Sequence, residues 1–134
     1  MRALKTFLNE NSLDYELHQN ISNMSEIMRQ SNLAISALGS TTWELFSQGI
    51  PCLLLPIAHN QQRHLEEIQK SGLAAVISDL SYSNVKKEMS QFIQNREQQE
   101  LFSKRGYNAI DAKGLWRVTE ILLGRHNGIN SGNI

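Results

Sequence analysis

The stretch Gly39-Ser40-Thr41-Thr42, with Glu44 two positions on, holds the residue types best suited to chemistry. A glycine lets the backbone approach a ligand closely, and hydroxyl residues at a helix start stand beside backbone N–H groups that have no partner within the helix. Such a start carries about half a positive charge and can seat a phosphate without any lysine. The competing reading is a plain helix-capping turn. The stretch matches neither a Walker loop nor a G-x-G-x-x-G fingerprint. Glu44 divides in the same way. A carboxylate only accepts hydrogen bonds, so it cannot hold a phosphate, but it can take two ribose hydroxyls at once. It also stands three residues after Thr41, where a capping box would place it.

A second stretch, Pro56-Ile57-Ala58-His59-Asn60-Gln61-Gln62, offers mixed donors and acceptors at His59, Asn60 and Gln61. These suit a ligand rich in hydroxyls and amides, such as a sugar. The alternative is that Asn60 only caps the helix that follows and His59 is an exposed loop residue. No metal site emerges from His18, His59, His64 and His126, because His59 and His64 lie five apart with no cysteine partner. Ser40 and His59 belong to neighbouring loops, but no G-x-S-x-G elbow surrounds the serine. No catalytic residue is therefore assigned, and no cofactor is expected. Cys52, among leucines, reads as a small buried hydrophobe.

These stretches need strands and helices to position them. Three short apolar runs, residues 33–37, 52–57 and 74–77, suit strands buried on both faces. Residues 15–18 alternate and read as a fourth, weaker strand. Helical patterns lie between the runs, which argues for βαβ crossovers. Leu4, Phe7 and Leu8 form a first helical stripe. Asn23 with Glu26 opens a second helix. A third begins at the Thr41–Glu44 box and stops at Gly49-Ile50-Pro51. Asn60 opens a helix that carries Leu65 and Ile68 and ends at Gly72. Val85, Met89, Phe92 and Ile93 form another stripe, Leu101 and Phe102 start the next, and Leu115, Val118, Ile121 and Leu122 mark the last. In an open α/β sheet, ligands bind at the carboxyl ends of the strands, which is where both candidate loops fall.

With 134 residues the chain has the length of one domain. Thirteen lysines and arginines balance thirteen aspartates and glutamates. No basic excess draws it to nucleic acid or to an anionic membrane, so any bound anion must be held by local geometry. The longest uncharged apolar run, residues 50–58, is far below the roughly 20 residues of a membrane span. A single cysteine and the lack of a signal-like apolar block in residues 1–12 suit a cytoplasmic setting.

Taken together, Gly39-Ser40-Thr41-Thr42-Trp43-Glu44, Gly49-Ile50-Pro51 and His59-Asn60-Gln61 resemble the C-terminal domain of GT-B-fold nucleotide-sugar enzymes. The nearest likeness is to the UDP-sugar hydrolases of pseudaminic acid biosynthesis and the related spore-coat polysaccharide proteins. Asp111-Ala112-Lys113-Gly114-Leu115-Trp116-Arg117-Val118 is similar to that family's closing D-G-x-G-x-x-R-V segment, with Ala112 in place of its first glycine. A looser likeness reaches the family 28 glycosyltransferases, such as the N-acetylglucosaminyl transferase of peptidoglycan synthesis, and plant glucosyltransferases.

The resemblance implies a fold and a set of roles. The fold class is α/β, a Rossmann-like three-layer sandwich with a short, mostly parallel sheet that lacks its first strands. Residues 1–123 would form the nucleotide-sugar-binding domain and residues 124–134 a flexible tail. Gly39, Ser40, Thr41 and Thr42 would bind the diphosphate, Glu44 the ribose, His59, Asn60 and Gln61 the hexose, and Ile21 the uracil. The general base of the family's hydrolases belongs to an N-terminal domain, so this chain would bind UDP or a UDP-sugar without turning it over alone. The expected function is the UDP-sugar-binding part of a hydrolase of nonulosonic acid or surface polysaccharide biosynthesis. The alternatives are a binding subunit of a glycosyltransferase and a non-enzymatic α/β interaction module. Expected partners are a separate N-terminal domain protein, or a second copy joined through open sheet edges.

Overall fold

A computed structural model describes residues 6, 10, 14–57 and 61–125. Three parallel strands, β1 (Ala34–Ala37), β2 (Cys52–Leu55) and β3 (Ala75–Val76), form one open sheet in the order β1-β2-β3. The register pairs Ala34 with Cys52 through Ala37 with Leu55, then Leu53 with Ala75 and Leu54 with Val76. Among the described residues, six helices flank the sheet: α1 (Met24–Arg29), α2 (Ser40–Ser47), α3 (Gln62–Ser71), α4 (Tyr82–Gln94), α5 (Arg96–Ala109) and α6 (Gly114–Leu122). This is the mixed α/β, Rossmann-like arrangement expected of the sequence.

The central strand explains the layering. Side chains alternate along a strand, so Cys52 and Leu54 enter one apolar cluster while Leu53 and Leu55 enter the other. The first cluster joins Met28 of α1, Leu45 and Phe46 of α2, and Leu65 and Ile68 of α3. The second joins Phe92 of α4 and Phe102 of α5, whose rings stack at 6.4 Å. Burying one such side chain is worth about 1.5–3 kcal/mol, so an apolar run with Cys52, Leu53 and Leu54 buried and Leu55 half-buried, shared between both faces, fixes β2 as the middle of the sheet. Helix α5 also crosses to the first cluster. A Cβ added at Gly106 would lie 3.3 Å from the Phe46 backbone, so any side chain there would push α5 and α2 apart by a few tenths of an ångström. The Cys52 thiol donates to the Ile50 carbonyl, and burial pushes its pKa up to about 12, which makes it a packing residue.

Several helix boundaries differ from the sequence expectation. Residues 15–18 are not a strand. Among the described residues they have no ladder to join, Glu16, Leu17 and His18 are exposed, and His18 bonds Glu16. Helix α5 starts at Arg96 rather than near Leu101, because the Asn95 side chain accepts from the Gln98 N–H at 3.0 Å and caps it. Asn23 caps α1 as expected, accepting from the Glu26 N–H. Helix α6 forms where its stripe lies, but none of its residues is buried. It is anchored by Asp111, which accepts from Arg117 at 2.6 and 3.1 Å and from the Lys113 N–H at 3.0 Å. The Arg117 bonds, and then the Lys113 amide, hold the Asp111 pKa at about 2. The stripe at Leu4, Phe7 and Leu8 lies outside the described residues, as do 126–134 of the expected tail.

Candidate functional site

Two loops leave the sheet side by side at its carboxyl edge. Leu38 and Gly39 follow β1, and Pro56 and Ile57 follow β2, whose last residues, Ala37 and Leu55, are register partners. Gln61 joins the two loops. Its Nε2 donates to the Leu38 carbonyl at 2.8 Å and its Oε1 accepts from the Ile57 N–H at 3.1 Å. The sequence reading assigned Gln61 to the hexose and did not anticipate this bridge. No local pattern signals a bond spanning 23 residues.

The start of α2 is built differently from the Thr41–Glu44 box. The N-cap is Gly39, in extended backbone, and Thr42 is the third helical residue. The Thr42 N–H donates to the Gly39 carbonyl at 3.0 Å, and the Gly39 N–H donates to Thr42 Oγ1 at 3.3 Å. Thr42 is fully buried and its hydroxyl shapes the turn from inside. Thr41 is therefore not the cap, and Glu44 has no capping role. That correction bears on chemistry, since the structural alternative for Glu44 was the capping box.

What faces outward is then well defined. Thr42, Leu45 and Phe46 point into the core, and Ser40, Thr41, Trp43 and Glu44 are exposed. The N–H groups and hydroxyls of Ser40 and Thr41 have no hydrogen-bond partner among the described residues, nor does the Glu44 carboxylate. Glu44 lies four residues after Ser40, hence one turn along on the same face. Free donors at a positive helix end and an acceptor about 5.4 Å further along can take an anion with a hydroxylated group attached to it. A Cβ added at Gly39 would meet nothing within 4 Å, so the space before the turn is open. Trp43 is 45% exposed and meets Phe46 edge-on at 5.9 Å, which steadies the outer face of the helix.

The other sequence-assigned positions are less closely tied to this turn. Ile21 is half-buried in an irregular segment two residues before the Asn23 cap of α1. His59 and Asn60 lie outside the described residues. Among the described residues, no group of histidine, cysteine and carboxylate side chains is placed to hold a metal, and no helix is long and apolar enough to cross a membrane. Depressions of about 710 and 370 Å³, beside Gln91 and beside Pro51, lie toward the amino ends of the strands, away from this turn.

Comparison with known proteins follows the same lines. The family model of the glycosyltransferase family 28 C-terminal domain matches residues 2–113. The chain is 29% identical over 97 residues to the UDP-N-acetylglucosamine–N-acetylmuramyl-(pentapeptide) pyrophosphoryl-undecaprenol N-acetylglucosamine transferase of Oenococcus oeni, covering 67% of this chain and 26% of that protein. It is 27% identical over 119 residues to the spore coat polysaccharide biosynthesis protein SpsG of Bacillus subtilis, covering 84% of this chain and 34% of that protein. The chain thus spans a third or less of the length of these relatives. No solved structure matches it significantly.

Proposed function

The chain belongs to the glycosyltransferase family 28 C-terminal domain family, and from that premise we propose that it is the UDP-sugar-binding half of a two-part enzyme. The diphosphate sits on the free N–H groups and hydroxyls of Ser40 and Thr41, at the mouth opened by Gly39 and shaped by Thr42. Glu44 takes the ribose hydroxyls. The hexose lies toward the second loop, with Gln61 and the neighbouring His59 and Asn60, and Ile21 borders the uracil through its backbone. The observation that carries this reading is the set at the start of α2 that has no partner among the described residues, donors at Ser40 and Thr41 and an acceptor one turn later at Glu44, beside an open glycine.

The fate of the sugar depends on the half that supplies the acceptor and the base. Transfer to an acceptor is supported by the relative named as an N-acetylglucosamine transferase. A role in surface polysaccharide formation, the setting in which the sequence resemblance places a hydrolase releasing the sugar to water, is supported by the likeness to SpsG over more of the chain. In either case the binding chemistry is the same.

Calorimetric titration with UDP tests the reading. The chain binds UDP, and Glu44→Ala loses about 1.5–3 kcal/mol, roughly ten- to hundredfold, as expected for hydrogen bonds to a charged group. A folded sample that takes up no UDP refutes the nucleotide site. Unaltered affinity in Glu44→Ala removes Glu44 from it.

A further inference from the structure

Gln61 stands at the N-cap of α3, yet its side chain makes no cap bond there. A serine, aspartate or asparagine at that position would satisfy a free N–H of the helix, typically worth about 1 kcal/mol. Gln61 reaches out of its own helix instead, to the Leu38 carbonyl and the Ile57 N–H. A carbonyl only accepts and an N–H only donates, so the chain fixes the direction of the amide before any ligand arrives. A carboxylate of the same length would meet the Leu38 carbonyl with a second acceptor, and an alkyl chain would bond neither partner.

The Leu38 carbonyl belongs to the same planar peptide group as the Gly39 N–H. That N–H donates to Thr42 Oγ1, so the peptide is held at both ends, by Gln61 from the second loop and by Thr42 from within α2. The two anchors are unequal. The Gln61 bond is 2.8 Å long and the Thr42 bond 3.3 Å, past the ordinary length for an N–H donor. Without Gln61 the peptide would hang on the longer bond alone, next to a glycine whose backbone has no side chain to restrain it. We propose that Gln61 is a positioning residue for the anion-seating turn. It fixes the Leu38–Gly39 peptide, and through it the N–H groups of Ser40 and Thr41, so that less ordering is left to be done on binding. The inference rests on the nucleotide reading of that turn and changes the part of Gln61 in it, from a hexose contact to a support of the diphosphate seat.

Amide hydrogen exchange and calorimetry of the full chain test it, with Gln61→Met and Gln61→Glu. Without ligand, Gln61→Met speeds exchange at the Gly39 and Ile57 N–H groups about tenfold, while the amides of β2 exchange as in the parent and show that the variant is folded. UDP carries no hexose, yet both variants bind it about five- to tenfold more weakly, and UDP-N-acetylglucosamine weakens by the same factor. A loss confined to UDP-N-acetylglucosamine overturns the proposal by making Gln61 a hexose contact. Parent-like UDP affinity in either variant overturns it, as does unaltered exchange at Gly39 in Gln61→Met. A parent chain that binds neither nucleotide refutes the nucleotide site and this role with it, whereas the other adverse outcomes refute the role alone.

Discussion

Helix α2 has a glycine turn at each end, and the two turns answer to different demands. At the rear, Gly49 has φ +68°, a left-handed conformation that side chains other than hydrogen strain to adopt. Its N–H donates to the Phe46 carbonyl and the next N–H, of Ile50, donates to that of Leu45, so the last carbonyls of the helix are satisfied. Leu45 and Ile50 are both buried in the same cluster. A Cβ at Gly49 would stand 3.3 Å from Ser103 Oγ of α5. At the front, Gly39 has extended backbone that any residue adopts, and a Cβ there would meet empty space. The rear glycine is demanded by the chain's own packing. The front one is not, and the space before it is open. One short helix thus has a closed end that serves the fold and an open end at which the proposed function places binding.

The largest test of this contrast is Phe46→Ala. The ring is buried, touches Trp43 and receives Gly106, so its loss costs about 3–5 kcal/mol in urea unfolding. A cost below about 1 kcal/mol would break the claim that the rear half of α2 holds the core. Glu44→Ala is the reverse case. Unfolding free energy stays within about 0.5 kcal/mol of the parent while UDP affinity drops ten- to hundredfold. Loss of stability in that variant would return Glu44 to a structural role. Gly49→Ala costs about 1–2 kcal/mol from its left-handed backbone, with UDP affinity unchanged once the protein is folded. Gly39→Ala has the smallest effect on the fold, less than about 1 kcal/mol, and weakens UDP about tenfold. Equal stability losses in the two glycine variants would erase the distinction between the ends.

How far the sequence could be read depended on whether a residue's neighbours were local. Strand β2 was legible because burial on both faces leaves an unbroken apolar run at Cys52-Leu53-Leu54-Leu55. The end of α2 was legible because Gly49-Ile50-Pro51 is a stop signal with a local mechanism. Its start was misread. Thr41 and Glu44 fit the capping-box spacing, but the glycine one turn's edge earlier carries no side chain to announce itself, and buried Thr42 does the capping instead. The alternation in residues 15–18 was real, but a strand also needs an edge to pair with. For α6, periodicity showed an apolar face and could not show whether anything covers it. Of the candidate site, the order of Ser40, Thr41 and Glu44 along one face was readable from spacing. The role of Gln61 was not, since one of its two partners, the Leu38 carbonyl, lies 23 residues back along the chain.

That Gln61 bridge sets the span of the site. A primary amide held at both ends, to Leu38 on one loop and Ile57 on the other, makes the two loops a single caliper whose jaws cannot drift apart independently. A ligand that seats its anionic part on one jaw then meets the other at a fixed reach, with no further loop ordering required at the moment of contact. On the proposed binding reading, selectivity for ligand length would then rest on one side chain that need not touch the ligand at all.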